Sequence, residues 1–193
     1  AAVTVIYGQR HSCEVEAARK VAEFYGIRHE IVDLSDLAKV MGGSALTGEG
    51  PTPHGHYTEE NQKITVVPNR NMILLGVATA FALSLGYSWV YYAAHSGDHS
   101  VYPDCRPEFV KAMEPAILLA TEGKVSLSAP FAWMNKSQIV TLGKELGVPF
   151  GLTWSCYEGN YPVQCGKCGT CVERREAFEI AGIPDPVPYS TVL

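Results

Sequence analysis

Hydrophobic and polar residues follow two periods along this chain, and the periods predict short strands that alternate with helices. Short apolar, β-branched runs predict strands, and apolar residues that recur every three or four positions predict helices. The predicted strands are residues 3–7, 30–34, 89–94 and 125–129. The predicted helices are residues 13–25, a short one from 35, 71–85, one from 107, 136–146 and 172–181. This alternation is typical of a parallel α/β sheet.

Local composition adds expectations about burial and interruption. Residues 71–85 are apolar nearly all round, so we expect that helix to be buried, and the strand 89–94 is expected to be buried on both faces. Pro115 is expected to kink or interrupt the helix that Pro107 starts. Residues 42–63 show no sustained period and are predicted to form a long loop of the kind that often binds ligands. The tail 184–193 is predicted to be irregular.

Polar residues that follow the predicted strands form the candidate binding site, because ligands of parallel α/β sheets bind beyond the carboxyl ends of the strands. These residues are Gln9, Arg10, His11, Asp98, Tyr102, Asp104, Arg106 and Lys136. Arg70 and Asn71 add a positive charge and an amide at the entry to a helix, a position that suits phosphate. Together these residue types suit an anionic, hydrogen-bonding small molecule.

Composition and charge narrow the class of protein. The chain has 193 residues, 47% of them hydrophobic, and a net charge of −5. This composition can fill a core, which excludes a disordered chain, and the acidic balance argues against broad nucleic-acid binding. No apolar run reaches the about 18–20 residues of a membrane span. We therefore expect a soluble, cytoplasmic protein that binds neither membranes nor nucleic acid directly.

Four cysteines lie within 16 residues near the C-terminus, in the spacing C-x8-C-x2-C-x2-C. They are Cys156, Cys165, Cys168 and Cys171. Four thiolates in a tetrahedral array select zinc and leave no position for water, which predicts a structural zinc knuckle. An iron–sulfur cluster is the main alternative, since it also takes four cysteines, and a redox C-x-x-C is a further one. Cys13 and Cys105 are expected to be ordinary reduced thiols.

Several motifs occur in one order that resembles a known family. They are Tyr-Gly-Gln-Arg-His at 7–11, Val-Pro-Asn-Arg-Asn at 67–71, Tyr-Pro-Asp-Cys-Arg-Pro-Glu-Phe at 102–109 and the cysteine cluster. Together they closely resemble the 7-cyano-7-deazaguanine (preQ0) synthase family of queuosine biosynthesis. Segments 43–47, 147–150 and 152–156 are also similar to that family, so the resemblance spans about residues 7–186.

The resemblance implies a Rossmann-like parallel sheet of the adenine-nucleotide α-hydrolase type and an ATP pyrophosphatase activity. Members of the family convert 7-carboxy-7-deazaguanine to preQ0 with ammonia and ATP. The carboxylate is adenylated, ammonia gives the amide, and a second activation leads to the nitrile. The implied cofactors are structural Zn²⁺ and Mg²⁺, with ATP as co-substrate, and the implied assembly is a homodimer.

The resemblance also implies roles for the candidate residues. Arg70 and Lys136 are the expected catalytic residues, at the phosphates. The remaining expected ligands are Gln9, Arg10, His11 and Asn71 for the nucleotide, Asp98, Tyr102, Asp104 and Arg106 for the deazaguanine, and Cys156, Cys165, Cys168 and Cys171 for zinc. The stretch 95–99 departs from the family's usual loop.

One element of this superfamily is absent from the sequence. PP-loop enzymes carry a Ser-Gly-Gly-x-Asp-Ser loop that cradles pyrophosphate. We expect this loop just before Ala1, and the alternative is a divergent member that lacks it. We accordingly interpret residues 1–150 as a nucleotide-binding α/β domain without its N-terminal strand and phosphate loop, and residues 151–193 as a zinc-binding segment. Two alternatives stay open. One is a related PP-loop enzyme that adenylates another carboxylate or a tRNA base, and the other is a non-catalytic zinc-knuckle binding module.

Overall fold

A computed structural model describes residues 1–48 and 50–191 of the chain. The strands are β1 (Ala2–Ile6), β2 (His29–Asp33), β3 (Trp89–Tyr91) and β4 (Ser126–Ser128). The α-helices are α1 (Cys13–Phe24), α2 (Glu59–Lys63), α3 (Arg70–Ser84), α4 (Pro107–Ala120), α5 (Lys136–Glu145) and α6 (Gly169–Ile180). The chain divides into two compact units. The first combines Ala1–Val67 with Lys136–Leu193, and the second is Pro68–Asn135.

The first unit is built on the parallel pair β1–β2, whose register runs from Ala2 opposite His29 to Ile6 opposite Asp33. Helix α1 connects the two strands and buries Val15, Ala17 and Ala22. Parallel neighbours need such a crossover connection, which explains the strand–helix–strand order predicted from the sequence. The prediction of a parallel α/β arrangement is confirmed in this unit.

Helices α5 and α6 form a second layer of the first unit. Their contact is a small core of Val140, Ala177 and Phe178, against which Phe150 also packs. Gly143 of α5 lies directly under the Phe150 ring, where an added Cβ would come within 2.6 Å of the ring. The close approach of the ring to this helix therefore requires glycine at position 143.

The second unit contains the parallel pair β3–β4, in which Trp89 lies opposite Ser126 and Tyr91 opposite Ser128. Its core is Leu75, Ala82, Val90, Ile117, Val125 and Leu127, drawn from α3, α4 and both strands. Side chains alternate between the two faces of a strand, so only Val90 of β3 points into this core. Trp89 and Tyr91 are 53% and 71% exposed. The prediction that this strand is buried on both faces is wrong.

Two helices of the second unit also differ from expectation. Helix α3 buries one stripe, Asn71, Leu75, Thr79 and Ala82, while Met72 and Leu83 are exposed, so all-round burial is wrong. Its apolar composition does not specify a face. Helix α4 runs from Pro107 to Ala120, so Pro115 does not interrupt it, and a kink there stays a prediction. Proline removes only one backbone hydrogen bond, and the apolar packing of α4 on the core outweighs that loss.

The predicted long loop 42–63 ends in a short helix that the sequence pattern missed. Thr58 and Asn61 form a reciprocal capping box at the start of α2, with N–H···O distances of 3.2 and 2.8 Å. The usual signature has Glu or Gln at the second position of this pair, and asparagine takes that place here. The other described residues of the segment form turns, bends and one isolated bridge, from His54 to Cys168.

Across residues 1–48 and 50–191, the strands form two separate two-stranded parallel sheets. Parallel pairing is thus confirmed, whereas a larger Rossmann-like sheet and the division at residue 150 stay predictions. In that same part of the chain, no helix is both long enough and apolar enough to cross a membrane.

Candidate functional site

The four clustered cysteines meet in the first unit with metal-binding geometry. Their sulfur atoms all lie within 4.8 Å of one another, and the Cys165–Cys171 and Cys156–Cys168 pairs are each 3.9 Å apart. In a tetrahedral zinc site with Zn–S bonds of about 2.3 Å, neighbouring sulfurs are about 3.8 Å apart. All four side chains are buried. The arrangement can therefore bind a metal ion with four thiolate ligands.

Backbone N–H groups converge on the first of these sulfurs. Cys156 Sγ accepts hydrogen bonds from the amides of Glu158, Gly159 and Cys165 at 3.3, 3.0 and 3.2 Å. A Cβ at Gly159 would lie 2.5 Å from the carbonyl oxygen of Val163, so only glycine allows this close turn. The turn that follows Cys156 therefore directs three hydrogen-bond donors at this sulfur.

The protonation of the other thiols depends on their neighbours. Burial raises the pKa of Cys165 to about 11, against the opposing effect of N–H donation from Cys168 and Lys167 at 3.3 and 3.4 Å. Hydrogen bonds from the thiols of Cys156 and Cys171 lower the pKa of Cys168. Burial and hydrogen bonding therefore shift the pKa values of these two thiols in opposite directions. Metal binding to all four sulfurs must release the remaining protons.

The C-terminal tail covers this cluster. Trp154, Tyr157 and Tyr189 pack against the four cysteines. Gln164 is fully buried; its backbone N–H donates to the Pro188 carbonyl oxygen at 2.9 Å, and its backbone carbonyl oxygen accepts the Ser190 N–H at 2.8 Å. These bonds form a parallel bridge between Gln164 and Tyr189. Residues 184–191 are irregular, as predicted for the tail, and this segment is bonded to Gln164, which lies between two of the clustered cysteines. Residues 192 and 193 lie outside the described residues.

A buried ion pair anchors the same tail to helix α6. The Arg174 guanidinium donates two hydrogen bonds to the Asp185 carboxylate at 2.8 and 2.9 Å, and both side chains are only 8% exposed. Arg174 also donates to Thr153 Oγ1 at 2.7 Å. Tyr189 donates its hydroxyl to Asp185 at 2.6 Å, and burial together with that bond raises the pKa of the phenol. We name Arg174, Asp185 and Tyr189 the tail anchor. No local sequence pattern indicated this anchor.

The predicted nucleotide residues Gln9, Arg10 and His11 follow β1 in the first unit. Gln9 accepts the Tyr7 amide at 2.8 Å, and Arg10 donates to the Ala45 carbonyl oxygen at 3.3 Å. The His11 ring stacks on that of Tyr157, with centroids 6.4 Å apart. Among the described residues, its buried Nε2 atom has no hydrogen-bond partner. Burial, followed by the charge of Arg10, lowers the pKa of His11, which keeps the ring neutral at neutral pH.

Lys136, a predicted catalytic residue, is the first residue of α5. Its Nζ atom forms an ion pair with the carboxylate of Glu173 on α6. Glu173 was not among the predicted site residues, because a separation of 37 positions leaves no local pattern that could have revealed the pair.

The second unit joins Arg70, Asn71 and Asp104 in one cluster. Asn69, which precedes α3, has a left-handed φ of 56° and no side-chain cap bond. Asp104 supplies the missing acceptor, because its carboxylate accepts the Asn71 backbone N–H at 3.1 Å. Arg70 Nε donates to the Asn71 side-chain oxygen at 3.2 Å. Asp104 therefore caps α3 from a distant part of the chain.

Tyr92 and Cys105 complete this polar cluster. The Tyr92 hydroxyl donates to the Asp104 carbonyl oxygen at 3.0 Å and lies 3.4 Å from Cys105 Sγ. The Asn71 side-chain amide lies 3.6 Å from the same sulfur. Burial raises the pKa of Cys105 to about 11 and also raises that of Tyr92. Cys105 is thus a protonated, free thiol at neutral pH. Tyr92 escaped the sequence analysis because it lies within an otherwise apolar strand run.

The loop 95–106 contains the other predicted substrate residues. Arg106 donates to the carbonyl oxygens of His99 and Ser100 at 2.7 and 3.4 Å. Asp98 lies 3.2 Å from His95 Nε2, and its carbonyl oxygen accepts the Tyr102 amide at 3.0 Å. The Arg106 guanidinium therefore holds the backbone of this loop.

The chain matches known proteins along nearly its whole length. A family model described as "Queuosine biosynthesis protein QueC" matches residues 1–182. The chain belongs to the QueC family. A relative named "7-cyano-7-deazaguanine synthase" in Pseudoalteromonas atlantica is 48% identical over 188 residues, which is 97% of this chain and 86% of that protein. One of the same name in Archaeoglobus fulgidus is 51% identical over 187 residues, 96% of this chain and 78% of that protein. Membership of the QueC family confirms the resemblance found in the motifs.

Proposed function

We propose that this protein catalyses the reaction for which its relatives are named, the synthesis of 7-cyano-7-deazaguanine. It is an enzyme that uses ATP and ammonia to convert the 7-carboxylate of the deazaguanine into a nitrile. The observation that carries this proposal is the near-full-length match, with 48% identity over 97% of the chain and a family match over residues 1–182.

The chemistry needs two activations, because a carboxylate and an amide are both poor electrophiles. The carboxylate oxygen attacks the α-phosphorus of ATP and releases pyrophosphate. Ammonia then attacks the acyl carbon, AMP leaves, and loss of a proton gives the amide. The amide oxygen is adenylated in the same way. Its C–O bond breaks as AMP leaves, and the nitrogen loses two protons to form the nitrile. The protein supplies orientation and stabilises phosphate charge.

Two cations are proposed to bind phosphate, each within its own unit. Lys136 and Arg70 are the first residues of α5 and α3. Exposed N–H groups and the helix dipole make a helix N-terminus favourable for anions, and a cation at that position strengthens the effect. In the first unit, Gln9, Arg10 and His11 are proposed to bind the nucleotide, with His11 neutral. Asn71 has the same proposed role in the second unit.

The deazaguanine is proposed to bind the loop 95–106. A carboxylate can accept two N–H bonds from the amidine edge of a guanine-like ring, which suits Asp98 and Asp104. The capping bond of Asp104 orients its carboxylate, and Arg106 holds the loop backbone around Tyr102. We propose Asp98 and Tyr102 as direct contacts, and Asp104 and Arg106 as residues that also maintain the loop.

The four-cysteine cluster is proposed to hold Zn²⁺. The nearly tetrahedral spacing, the burial and the N–H donors around Cys156 fit a four-thiolate zinc site. Four protein ligands leave no position for water, so the ion stabilises the fold of the C-terminal segment. Mg²⁺ is proposed to accompany the ATP phosphates. A homodimer is proposed by analogy with the family.

A product assay tests this function. The full-length protein is incubated with 7-carboxy-7-deazaguanine, ammonium and MgATP, and the mixture is followed by mass spectrometry. We expect AMP and 7-cyano-7-deazaguanine, with the amide as an intermediate. Omitting ammonium should abolish both amide and nitrile. If full-length, metal-containing protein forms neither AMP nor nitrile, the proposed function is wrong.

A further inference from the structure

The start of helix α6 brings two of the four clustered cysteines close in sequence to Glu173, the partner of Lys136. Cys168 of the four-cysteine cluster lies directly before α6, and Cys171 lies in the first turn of that helix. Glu173 follows Cys171 by two positions and forms the ion pair with Lys136. One helical turn and one salt bridge therefore connect the four-cysteine cluster to Lys136, the proposed phosphate-binding cation.

The start of α6 is held tightly by its surroundings. The Gly169 amide donates to the Pro53 carbonyl oxygen at 3.0 Å. A Cβ at Gly169 would come within 2.4 Å of the Tyr57 ring. Farther along, the contact of Ala177 and Phe178 with Val140 fixes α6 against α5. Glu173 thus stands on a turn constrained by the cysteines on one side and by the α5–α6 core on the other.

The pair itself lies in a partly desolvated place. The Lys136 and Glu173 side chains are 35% and 24% exposed. Charges in such positions are less screened than a surface pair. A lysine side chain has four flexible carbons, so an unpaired Lys136 would sample many rotamers, and binding of phosphate would have to restrict them. A carboxylate on a constrained helix reduces that loss of freedom before the phosphate arrives.

We propose that Glu173 is a positioning residue that orients Lys136 for ATP. We further propose that the four-cysteine cluster, with its metal bound, orients Glu173 through the first turn of α6. This proposal rests on the proposed function, in which Lys136 binds phosphate. It assigns the metal site a consequence for ATP binding in addition to stability. The metal contributes by holding Cys168 and Cys171, and it takes no part in the chemistry.

The test compares two glutamates on the same helix. Glu173→Gln removes the charge that faces Lys136, and Glu176→Gln is the matched control, since Glu176 pairs with the exposed His56 at 2.9 Å. We expect Glu173→Gln to raise the KM for ATP and the Kd measured by equilibrium dialysis about fivefold, the effect of losing one ion pair. Glu176→Gln should leave both values unchanged. Glu173→Asp, which shortens the side chain but retains its charge, should lie between wild type and Glu173→Gln.

Chemical labelling of Lys136 gives a readout that does not depend on catalysis. An amine-acetylating reagent is applied to the wild type and to each variant, and modification of Lys136 is followed by peptide mass spectrometry. Labelling should be slow in the metal-loaded wild type and in Glu176→Gln. It should be faster in Glu173→Gln and in wild type treated with a zinc chelator, with circular dichroism to verify that α-helix is retained.

The outcomes separate this inference from the proposed function. If Glu173→Gln binds ATP as tightly as wild type, or if Lys136 labels equally fast in both, Glu173 does not position Lys136. If both glutamate variants weaken ATP binding equally, the effect belongs to helix stability and the proposal is also wrong. A wild type that shows the expected labelling and ATP binding but forms no nitrile would overturn the synthase assignment alone.

Discussion

Buried cysteines occur in both units of this protein, but the groups around their sulfur atoms differ. In the first unit, Cys156 accepts three backbone N–H bonds beside three other thiols. In the second unit, the sulfur of Cys105 lies near the Tyr92 hydroxyl and the Asn71 amide, and burial raises its pKa to about 11. All of these sulfurs are buried, so the difference lies in the groups beside each one: further thiols in the first unit, and a phenol and an amide in the second.

The two regions are also held together by different bonds. The cysteine cluster is covered by the tail anchor, whose Arg174–Asp185 pair is almost fully buried. The polar cluster of the second unit depends on Asp104, which caps α3 with a single partly buried hydrogen bond. A buried ion pair that loses one partner costs several times more than a lost helix cap. Substitutions in the first region should therefore lower the free energy of unfolding more than substitutions in the second.

Replacing a proposed zinc ligand should have the largest effect. Cys168→Ser removes one of four thiolates, and we expect loss of bound zinc together with several kcal/mol of stability, since the binding energy of a structural zinc is folding energy. Elemental analysis and thermal unfolding measure the two effects. Cys105→Ser in the second unit is the control and should retain zinc. Equal zinc contents in the two variants would contradict the assigned metal site.

Breaking the tail anchor should be the next largest effect. Arg174→Met leaves the Asp185 carboxylate buried without its cation, which should cost about 3–5 kcal/mol. Because the anchored tail covers the cluster, zinc should also transfer faster to a colorimetric chelator. A double variant, Arg174→Met with Asp185→Leu, should recover stability by removing the unpaired charge. Unchanged zinc transfer in Arg174→Met would show that the tail does not protect the metal.

Removing the cap of α3 should have a smaller effect. Asp104→Ala deletes the acceptor of the Asn71 N–H and should cost about 1 kcal/mol, as helix caps do. Chemical denaturation provides the measurement. Zinc content should remain that of wild type, because Asp104 belongs to the second unit. A loss of zinc from this variant would contradict the expectation that Asp104 stabilises only the second unit.

Replacing Cys105 should have the smallest effect on stability at neutral pH. The folded protein raises the pKa of this thiol from 9.0 to about 11, so its neutral form is favoured in the fold. Its contribution to stability is complete below pH 9.0, decreases as the unfolded-state thiol ionises, and is lost as the pH rises through about 11. Unfolding measured across that range should show a decline in stability that Cys105→Ala reduces. An identical pH profile for the variant would contradict the raised pKa.

Local patterns in the sequence predicted much of this molecule. The strand–helix order, the parallel pairing and the four cysteines follow from hydrophobic period and close spacing. The exposed faces of Trp89 and Tyr91 could not be predicted, because apolar composition does not tell which side of a strand a helix covers. Long-range contacts were equally hidden, since Asp104 caps α3 across 33 positions and Glu173 reaches Lys136 across 37. No local motif encodes such pairs.

The most direct test of the central claim follows nitrogen from ammonia into product. Full-length, zinc-containing protein is given isotopically labelled ammonium, MgATP and 7-carboxy-7-deazaguanine. We predict that the label appears first in the amide and then in the nitrile of 7-cyano-7-deazaguanine, with AMP formed at each activation. Absence of labelled nitrile from the full-length protein, with zinc and substrates present, would contradict the account.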